Sequence, residues 1–254
     1  MKILFFGDSL TKGQVGACFI DLLTASYPHG RFTNRGTNGD TMNIITKKIL
    51  KHLEQSNDYD FVVLQGGGND ILLPYFKARG GLFKLAYHSQ LKKGLIPLAT
   101  STEYYHALVA MFQKIKRLYK GKIIFITMSC INEKLDTEPN KKRIAFNEAA
   151  RKAALEEGIA VADIEPLFEQ FLENKAQTDY LIESFWAVTL FDRVMSLCKR
   201  GITLLSNRRK LFLTIDGAHI NNEGAAIISH SLMQIIGKKS VRKQLLSRSR
   251  EGQG

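Results

Sequence analysis

Short, continuously apolar runs alternate with stretches of helical periodicity along most of this chain, and that alternation restricts the fold more than any other feature. The apolar runs predict strands over residues 2–6, 61–65, 122–128 and 159–163, with a weaker strand over 31–34. Apolar residues at helical spacing predict helices over 11–25, 41–53, 103–119, 138–157 and 225–236, the last closed by Gly237. Uniformly apolar strands are typical of parallel sheets covered by helices on both faces. The order therefore predicts an α/β fold with a parallel sheet.

The length of 254 residues fits one large domain, which we place at residues 1–237, followed by a basic tail at 238–254. Two connections, about 74–102 and 168–213, are longer than a compact domain needs, and we interpret them as insertions. The second carries apolar residues at helical spacing, which indicates a cap over a pocket, a face that touches a membrane surface, or a helix packed on the domain. These residues are Leu181, Phe185, Val188, Phe191, Met195, Cys198 and Ile202.

Composition narrows the class of protein further. No run reaches the roughly 18 uncharged apolar residues of a membrane span, and the three cysteines are scattered without the spacing of a disulfide framework or a zinc site. We therefore expect a cytoplasmic protein without a metal. The net charge of +12 comes partly from residues 208–210 and from the tail, and such clusters attract nucleic acid or acidic lipid. A solvated helix end and a frayed terminus are the favoured interpretation of these clusters.

The tetrapeptide Gly7-Asp8-Ser9-Leu10 follows the first predicted strand directly. Ser9 is thus expected where a strand passes into a helix, and sites in open α/β sheets form outside the carboxyl ends of the strands. Unpaired N–H groups at the start of a helix suit a developing negative charge, so Ser9 is a candidate nucleophile. The alternative is an ordinary helix N-cap, for which serine is among the preferred residues.

A serine nucleophile needs a base, and His219 is the histidine whose neighbours fit that role. It ends the segment Asp216-Gly217-Ala218-His219 just before the last predicted helix. An aspartate three residues earlier, with a glycine to bend the backbone, can hold the imidazole Nδ1 and leave Nε2 for a serine. The alternative is a hydrogen bond within a loop.

Three groups are candidate donors to an oxyanion: the backbone N–H of Ser9, the backbone N–H of Gly36 and the side-chain amide of Asn69. Each of the latter two follows a predicted strand, and a parallel sheet brings such positions to one edge. Turn geometry explains the glycine equally well, and a left-handed turn or helix cap explains the asparagine.

Taken together, these blocks resemble the SGNH (GDSL-type) hydrolase family. The Gly-Asp-Ser-Leu motif, the later glycine block, the Gly-x-Asn-Asp block and the C-terminal Asp-x-x-His occur in the family's order across nearly the whole chain. The resemblance implies a three-layer α/β/α sandwich of the flavodoxin-like type, with a five-stranded parallel sheet and helical insertions. It also implies Ser9 as nucleophile, His219 as base, Asp216 as its orienting acid, and Ser9, Gly36 and Asn69 as the oxyanion hole, with no cofactor. Ile220 departs from the family pattern, in which a proline often follows the histidine.

The resemblance predicts a serine ester hydrolase that works through an acyl-enzyme on a small ester, a lipid ester or an O-acetylated carbohydrate. Acyl transfer to an alcohol would use the same residues. A basic protein that binds nucleic acid or an anionic membrane is the alternative from a different class. No stripe of cations and aromatics typical of strand binding is seen, so we expect no nucleic acid as partner, only weak contact of the tail with anionic surfaces.

Overall fold

The computed structural model describes residues 1–184 and 187–251, with the backbone alone for residues 187, 189 and 238–251. Its centre is a sheet of five parallel strands in the order β2-β1-β3-β4-β5. The strands are β1 Lys2–Phe6, β2 Arg31–Asn34, β3 Phe61–Gln65, β4 Lys122–Ile126 and β5 Ala160–Ala162. All five predicted strands are confirmed; four of them are short apolar runs, whereas β2, Arg-Phe-Thr-Asn, is the weaker strand at the sheet edge and is not buried.

Helices cover both faces of the sheet, which confirms the three-layer α/β/α sandwich. They are α1 Ser9–Lys12, α2 Phe19–Ser26, α3 Met42–Gln55, α4 Gly68–Arg79, α5 Gly81–Lys92, α6 Ser101–Leu118, α7 Glu138–Glu156, α8 Glu165–Leu172, a π-helix Ala187–Asp192, α9 Arg193–Met195, α10 Lys199–Arg209 and α11 Asn222–Glu251. Alternate residues of β1 point to opposite layers: Leu4 and Phe6 pack in one core, Ile3 and Phe5 in the other. Both faces of each central strand are therefore apolar, which is why the sequence shows no alternation.

The helix predicted over 11–25 is wrong in its continuity, since it is two helices separated by residues 13–18. Gly13 ends α1 in the left-handed conformation with φ of 67°. Gly16 then passes so close to the loop before α11 that a Cβ atom on it would lie 2.2 Å from the carbonyl oxygen of Ile220. Ala17 donates its N–H to that same oxygen at 2.8 Å. The long-range contact, rather than local periodicity, sets the break.

The region 168–213 does not form the single apolar helix face that its spacing suggests. The π-helix, α9 and α10 follow one another, with a tight turn between α9 and α10. Gly201 in the first turn of α10 lets the two helices approach closely, since a Cβ atom there would lie 2.1 Å from the carbonyl oxygen of Met195. Phe185 of the predicted stripe lies outside the described residues. The first insertion is also helical, because α4 continues through Pro74 and α5 follows at once.

The last helix does not close at Gly237 as predicted, because α11 runs from Asn222 to Glu251. Gly237 is not among the glycines with positive φ, so nothing in its backbone forces an end there. The division into a domain of residues 1–237 and a tail of 238–254 stays a prediction, and residues 252–254 of that tail lie outside the described residues.

Candidate active site

The structure brings Ser9, His219 and Asp216 together at the carboxyl edge of the sheet. Ser9 begins α1 just after β1, and its Oγ lies 3.1 Å from Nε2 of His219. The other ring nitrogen, Nδ1, lies 2.7 Å from Oδ2 of Asp216. These distances fit a hydroxyl whose proton passes to an imidazole that a carboxylate holds in one tautomer.

The loop that carries Asp216 and His219 is folded by its own hydrogen bonds. Oδ1 of Asp216 accepts the backbone N–H groups of Ala218 and His219, at 3.0 and 2.7 Å. Gly217 between them has φ of 84°, and a Cβ atom there would lie 2.0 Å from the carbonyl oxygen of Tyr180. Only glycine fits both the backbone angle and the space. The Asp-Gly-x-His spacing therefore encodes the geometry of the pair directly.

The attraction between His219 and Asp216 shifts their pKa values in opposite directions. Burial disfavours the imidazolium of His219, but attraction to Asp216 and their hydrogen bond outweigh it, so the pKa of His219 is raised. Burial likewise opposes the charged form of Asp216, yet His219 and the two backbone donors overcome it and lower the pKa of Asp216. The arrangement stabilises the ion pair that forms when His219 accepts a proton.

Asp8, for which no role was predicted, caps the helix that begins at Ser9. Its Oδ1 accepts the N–H of Leu10 at 3.0 Å and so caps α1, while Oδ2 receives Nε2 of Gln65 at 3.3 Å. Gln65 in turn accepts the hydroxyl of Thr11 at 3.0 Å. Burial raises the pKa of Asp8 to about 6, despite these donors. An N-capping aspartate at the strand end is the signal that could have identified it.

The predicted oxyanion donors are placed differently from one another. Asn69 lies in the first turn of α4 and lines the cavity beside Ser9, with its Nδ2 donating to the carbonyl of Asp40 at 3.0 Å. The second hydrogen of that amide group is available to another acceptor. The side chain is thus held in place beside the hydroxyl of Ser9 while keeping one donor.

Gly36 does not fit the predicted role. Its N–H donates to Oδ1 of Asn34 at 2.9 Å, and a Cβ atom on it would lie 2.4 Å from the backbone nitrogen of Lys12. The described residues that line the cavity include Gly39 but not Gly36. Gly36 therefore allows close packing of the turn on α1. Of the two glycines in this turn, Gly39, with φ of 82°, is the one that lines the cavity. The sequence shows both glycines of Gly36-Thr37-Asn38-Gly39, so Gly39 was also available as a candidate oxyanion donor.

Asp70 joins this edge of the sheet to the first insertion. Its Oδ2 accepts the N–H of Met42 at 2.9 Å and its Oδ1 accepts the N–H of Leu98 at 2.8 Å. Burial raises the pKa of Asp70 to about 7. Asp40 nearby pairs with Lys48 at 2.5 Å. These carboxyl groups hold the loops that present Gly39 and Asn69.

A family model for the GDSL-like lipase/acylhydrolase family matches residues 5–183, well over half of the chain. The chain belongs to this family. It is thus an esterase-type hydrolase, and the sequence resemblance to GDSL-type enzymes is confirmed. No curated protein matches the chain in sequence.

Solved structures with the same fold include three esterases or hydrolases. An α/β hydrolase enzyme from the metagenome of Lake Arreo, Spain, is 16% identical, covering 93% of this chain and 94% of that chain with a TM-score of 0.61. A member of the lipolytic G-D-S-L family from Veillonella parvula is 19% identical, covering 92% and 97%, at 0.59. An acetylxylan esterase from Geobacillus stearothermophilus is 20% identical, covering 93% and 94%, at 0.60. At these identities the similarity shows the fold.

The cavity of this GDSL-family protein has a volume of about 310 Å³ and opens beside Ser9 and His219. Its wall is mainly apolar and comes from the sheet edge, from the loop after β4 and from both insertions. The apolar lining residues include Leu72, Leu73, Phe76, Ala86, Met128, Cys130, Ile131, Ile182, Val188 and Ala218. Apolar walls with a few convergent polar groups are typical of sites for small organic ligands.

Two arginines tie the family core to its insertions. Arg79 of α4 donates to the carbonyls of Leu181 and Ile182 at 3.1 and 2.7 Å. Ile182 then donates its N–H to the carbonyl of Asp216 at 2.8 Å. Arg209 of α10 pairs with the buried Asp192 at 2.7 Å and donates to the carbonyl of Ile215 at 2.7 Å. The first insertion therefore contacts the second, and the second contacts the loop that carries Asp216.

The described residues contain neither a cluster of metal ligands nor a membrane-spanning helix. Among residues 1–184 and 187–251, side chains of histidine, cysteine, aspartate and glutamate form no group of three that would hold a metal ion. No helix in that part of the chain combines the length and the apolar character needed to cross a bilayer.

Proposed function

We propose that this GDSL-family protein is a serine ester hydrolase that works through an acyl-enzyme on esters with an apolar acyl chain. The observation that carries the proposal is the continuous hydrogen-bonded series from Ser9 through His219 to Asp216 at the opening of an apolar cavity. Family membership supports ester hydrolysis, and the geometry supports the roles of the individual residues.

In the proposed first half-reaction, Oγ of Ser9 attacks the acyl carbonyl carbon while Nε2 of His219 takes the hydroxyl proton. The tetrahedral oxyanion accepts hydrogen bonds from the N–H of Ser9, the N–H of Gly39 and the amide of Asn69. Collapse breaks the ester C–O bond, and the imidazolium of His219 gives its proton to the departing alcohol. Gly39 replaces Gly36 in this scheme because it lines the cavity.

In the second half-reaction, water takes the place of the alcohol. His219 removes a proton from the water as it attacks the acyl carbon, and the oxyanion forms in the same hole. Breaking the acyl–Oγ bond releases the carboxylic acid and returns the proton to Ser9. An acceptor alcohol in place of water would give acyl transfer by the same steps, which makes the two activities alternatives for one site.

The cavity wall supports an acyl chain longer than acetyl as the preferred group. The lining carries twelve apolar side chains from several parts of the fold, and burying a methylene in such a wall contributes about 0.8 kcal/mol. Acetyl xylan esterases among the solved structures of the same fold make an O-acetylated carbohydrate the competing substrate class. A cytoplasmic location stays a prediction from the sequence.

The test is hydrolysis of p-nitrophenyl esters from acetate to long acyl chains. We expect Ser9→Ala and His219→Ala to lower kcat by on the order of 10⁴ or more, and Asn69→Ala to lower it by about 10² to 10³. Ser26→Ala and His230→Ala, which change an exposed serine and an exposed histidine away from the site, are the controls. Wild-type activity that survives in Ser9→Ala would disprove the serine mechanism, and a preference for acetate would disprove the acyl-chain assignment.

A further inference from the structure

Both insertions expose large apolar side chains next to the cavity. Leu85 of α5 is 65% exposed, Val194 of α9 is 64% exposed and Leu197 is 82% exposed. On the same segments, Ala86 and Gln90 of α5 and Val188 and Arg193 of the second insertion line the cavity. Exposed apolar residues therefore border the opening on two sides. Clusters of this kind mark binding surfaces more often than scattered single residues do.

The backbone explains why these residues face outward. In α5 none of the residues Gly81–Lys92 is buried, so the helix lies on the molecule without entering its core. In the second insertion, Asp192 is buried while Leu190 of the π-helix, Val194 of α9 and Leu197 of the following turn are exposed, so the three apolar side chains form the solvent face of this segment. The buried pair of Asp192 with Arg209 holds that face in its outward position.

The exposed charge of the same segments is positive, since the one acidic residue of α5 and residues 187–200, Asp192, is buried and paired with Arg209. Residues 71–102 contain five lysines and arginines and no aspartate or glutamate, and residues 193–215 contain six and again none. Lys84, Lys92, Lys93, Lys199 and Arg200 are all exposed. The net charge of +12 is therefore concentrated in part around the cavity opening rather than spread over the surface. An apolar face ringed by cations complements an anionic lipid surface.

We propose that α5 and the segment 187–200 form an interfacial surface that docks on anionic phospholipid bilayers, so that the acyl substrate enters the cavity from the lipid. The docking goes beyond the proposed function, and only its activity test rests on that function. Apolar side chains would enter the headgroup region while the lysines contact lipid phosphates. The defined docking residues are Leu82, Leu85, Leu190, Val194, Leu197 and the surrounding cations.

Two other occupants fit less well. A second copy of the chain, related by a twofold axis through this surface, would place its exposed cations opposite the same cations without an exposed acid on these segments to pair them; they are Lys84, Lys92, Arg193, Lys199 and Arg200. Nucleic acid would use the cations but would gain little from exposed leucines, since its sequence-independent binding depends on phosphate contacts. The leucines therefore decide between the occupants.

The binding test uses the full-length Ser9→Ala protein, which leaves the lipid intact, and sedimentation with phospholipid vesicles. We expect binding to vesicles that contain phosphatidylglycerol, weaker binding to pure phosphatidylcholine, and a decrease with added salt. The combined change Leu85→Ser, Val194→Ser, Leu197→Ser should weaken binding at least about tenfold. Leu155→Ser, at an 84% exposed leucine on α7, should leave it unchanged.

The charge test replaces Lys84, Lys92 and Lys199 by glutamine, and we expect binding to fall about fivefold for each lysine. Lys47, Lys51 and Lys114, exposed on α3 and α6, provide a matched set with the same loss of charge. Binding that depends on salt and lysines but not on the leucines would mean electrostatic adsorption and would overturn the proposal. A dimer that dissociates when the leucines are changed, without vesicle binding, would overturn it in favour of a second copy.

Activity separates failure of the docking from failure of the hydrolase assignment. We expect the triple serine variant to lose activity on a long-chain ester embedded in vesicles by about the same factor as its binding, while hydrolysis of dissolved p-nitrophenyl acetate is unchanged. Ester hydrolysis without any effect of the leucines on vesicle-borne substrate disproves the docking alone. Leucine-dependent vesicle binding in a protein that hydrolyses no ester disproves the hydrolase assignment alone.

Discussion

Asp8 places a second buried carboxyl group beside the hydroxyl and imidazole of the proposed site. Its pKa of about 6 means that it loses its proton near the pH at which an imidazole normally does. The charge on Asp8 raises the pKa of His219, and the charge on His219 lowers that of Asp8. The two groups therefore titrate as a coupled pair, and a pH profile reports both of them.

We expect Asp8→Asn to move the acid limb of the kcat/KM profile to lower pH. His219 must be neutral to accept a proton, and removing the negative charge of Asp8 removes one of the causes that raise its pKa. The asparagine oxygen can still cap Leu10, so activity at high pH should be largely retained. Asp21→Asn, at an exposed aspartate of α2, is the control. An acid limb that stays in place or moves upward would contradict the coupling.

At this scale the sequence predicts some residues well and others poorly, for a physical reason. The Asp216–His219 pair is local, and its geometry follows from Asp-Gly-x-His spacing. Gly36 and Gly39 lie in one turn, and nothing in glycine itself says which N–H faces the cavity. The decision comes from the side chain of Asn34, which takes the N–H of Gly36 two residues later.

Among the secondary-structure elements, α4 connects the cavity wall to the loop that carries Asp216, through Arg79 and residues 181–182. The guanidinium lies 4.1 Å from the ring centroid of Phe83 and donates to two carbonyls at 181 and 182. Ile182 has φ of 41°, a left-handed conformation that a branched side chain rarely adopts. Strained backbone persists where surrounding contacts hold it, and here Arg79 and Asp216 bind Ile182 from two sides.

We expect Arg79→Ala to lower the free energy of unfolding by about 1–2 kcal/mol, since two hydrogen bonds from a charged but partly exposed donor are lost. Releasing residues 181–182 also loosens the position of Asp216, so kcat on a dissolved ester should fall by roughly tenfold. Thermal unfolding, kcat and the pH profile of kcat are measured for Arg79→Ala and for the control Arg117→Ala, at an exposed arginine on α6. A stability loss without any change in kcat would show that Arg79 stabilises the fold but does not position the site.

For the whole molecule, the order of strands and helices could be predicted because the central strands β1, β3 and β4 are buried on both faces and therefore almost uniformly apolar. Contacts between distant segments could not be predicted in the same way. Between α1 and α2, Gly16 packs on Ile220, more than two hundred residues later, while Gly13 ends α1 through its own left-handed backbone. The insertions lack the sheet as a template, so their periodicity indicates helix without indicating where one helix stops and the next begins.

A buried ion cluster joins the layers at the β5 side of the sheet. Arg143 of α7, fully buried, donates to Oε1 of Glu165 at 2.7 Å and to Oε1 of Glu169 at 2.6 Å, both on α8. Its Nε also donates to Asn140, which holds the loop after β4 by accepting the N–H of Ile131. That loop provides Cys130 and Ile131 to the cavity wall. The arginine therefore stabilises the fold and one wall of the site together.

We expect Arg143→Met to lower the free energy of unfolding by about 3–5 kcal/mol, because the buried Glu165 keeps only one of its two arginine partners, Arg151, and Glu169 loses Arg143. For a chain of this size, that corresponds to a decrease of roughly 6–20 °C in Tm.

Burial already raises the pKa of Glu165, and losing Arg143, whose charge lowers it, raises it further. A carboxyl group with a raised pKa in the folded state costs nothing when protonated, so the deficit should be smallest at acid pH. It should grow as the pH rises from the wild-type pKa of Glu165 to the higher pKa of Glu165 in the variant, because the unfolded-state pKa is the same for both proteins. Lys142→Met, at the exposed neighbouring position, should change stability by less than about 0.5 kcal/mol at any pH. A deficit for Arg143→Met that does not vary with pH would mean that lost packing, rather than the weaker pairing of Glu165, destabilises the variant.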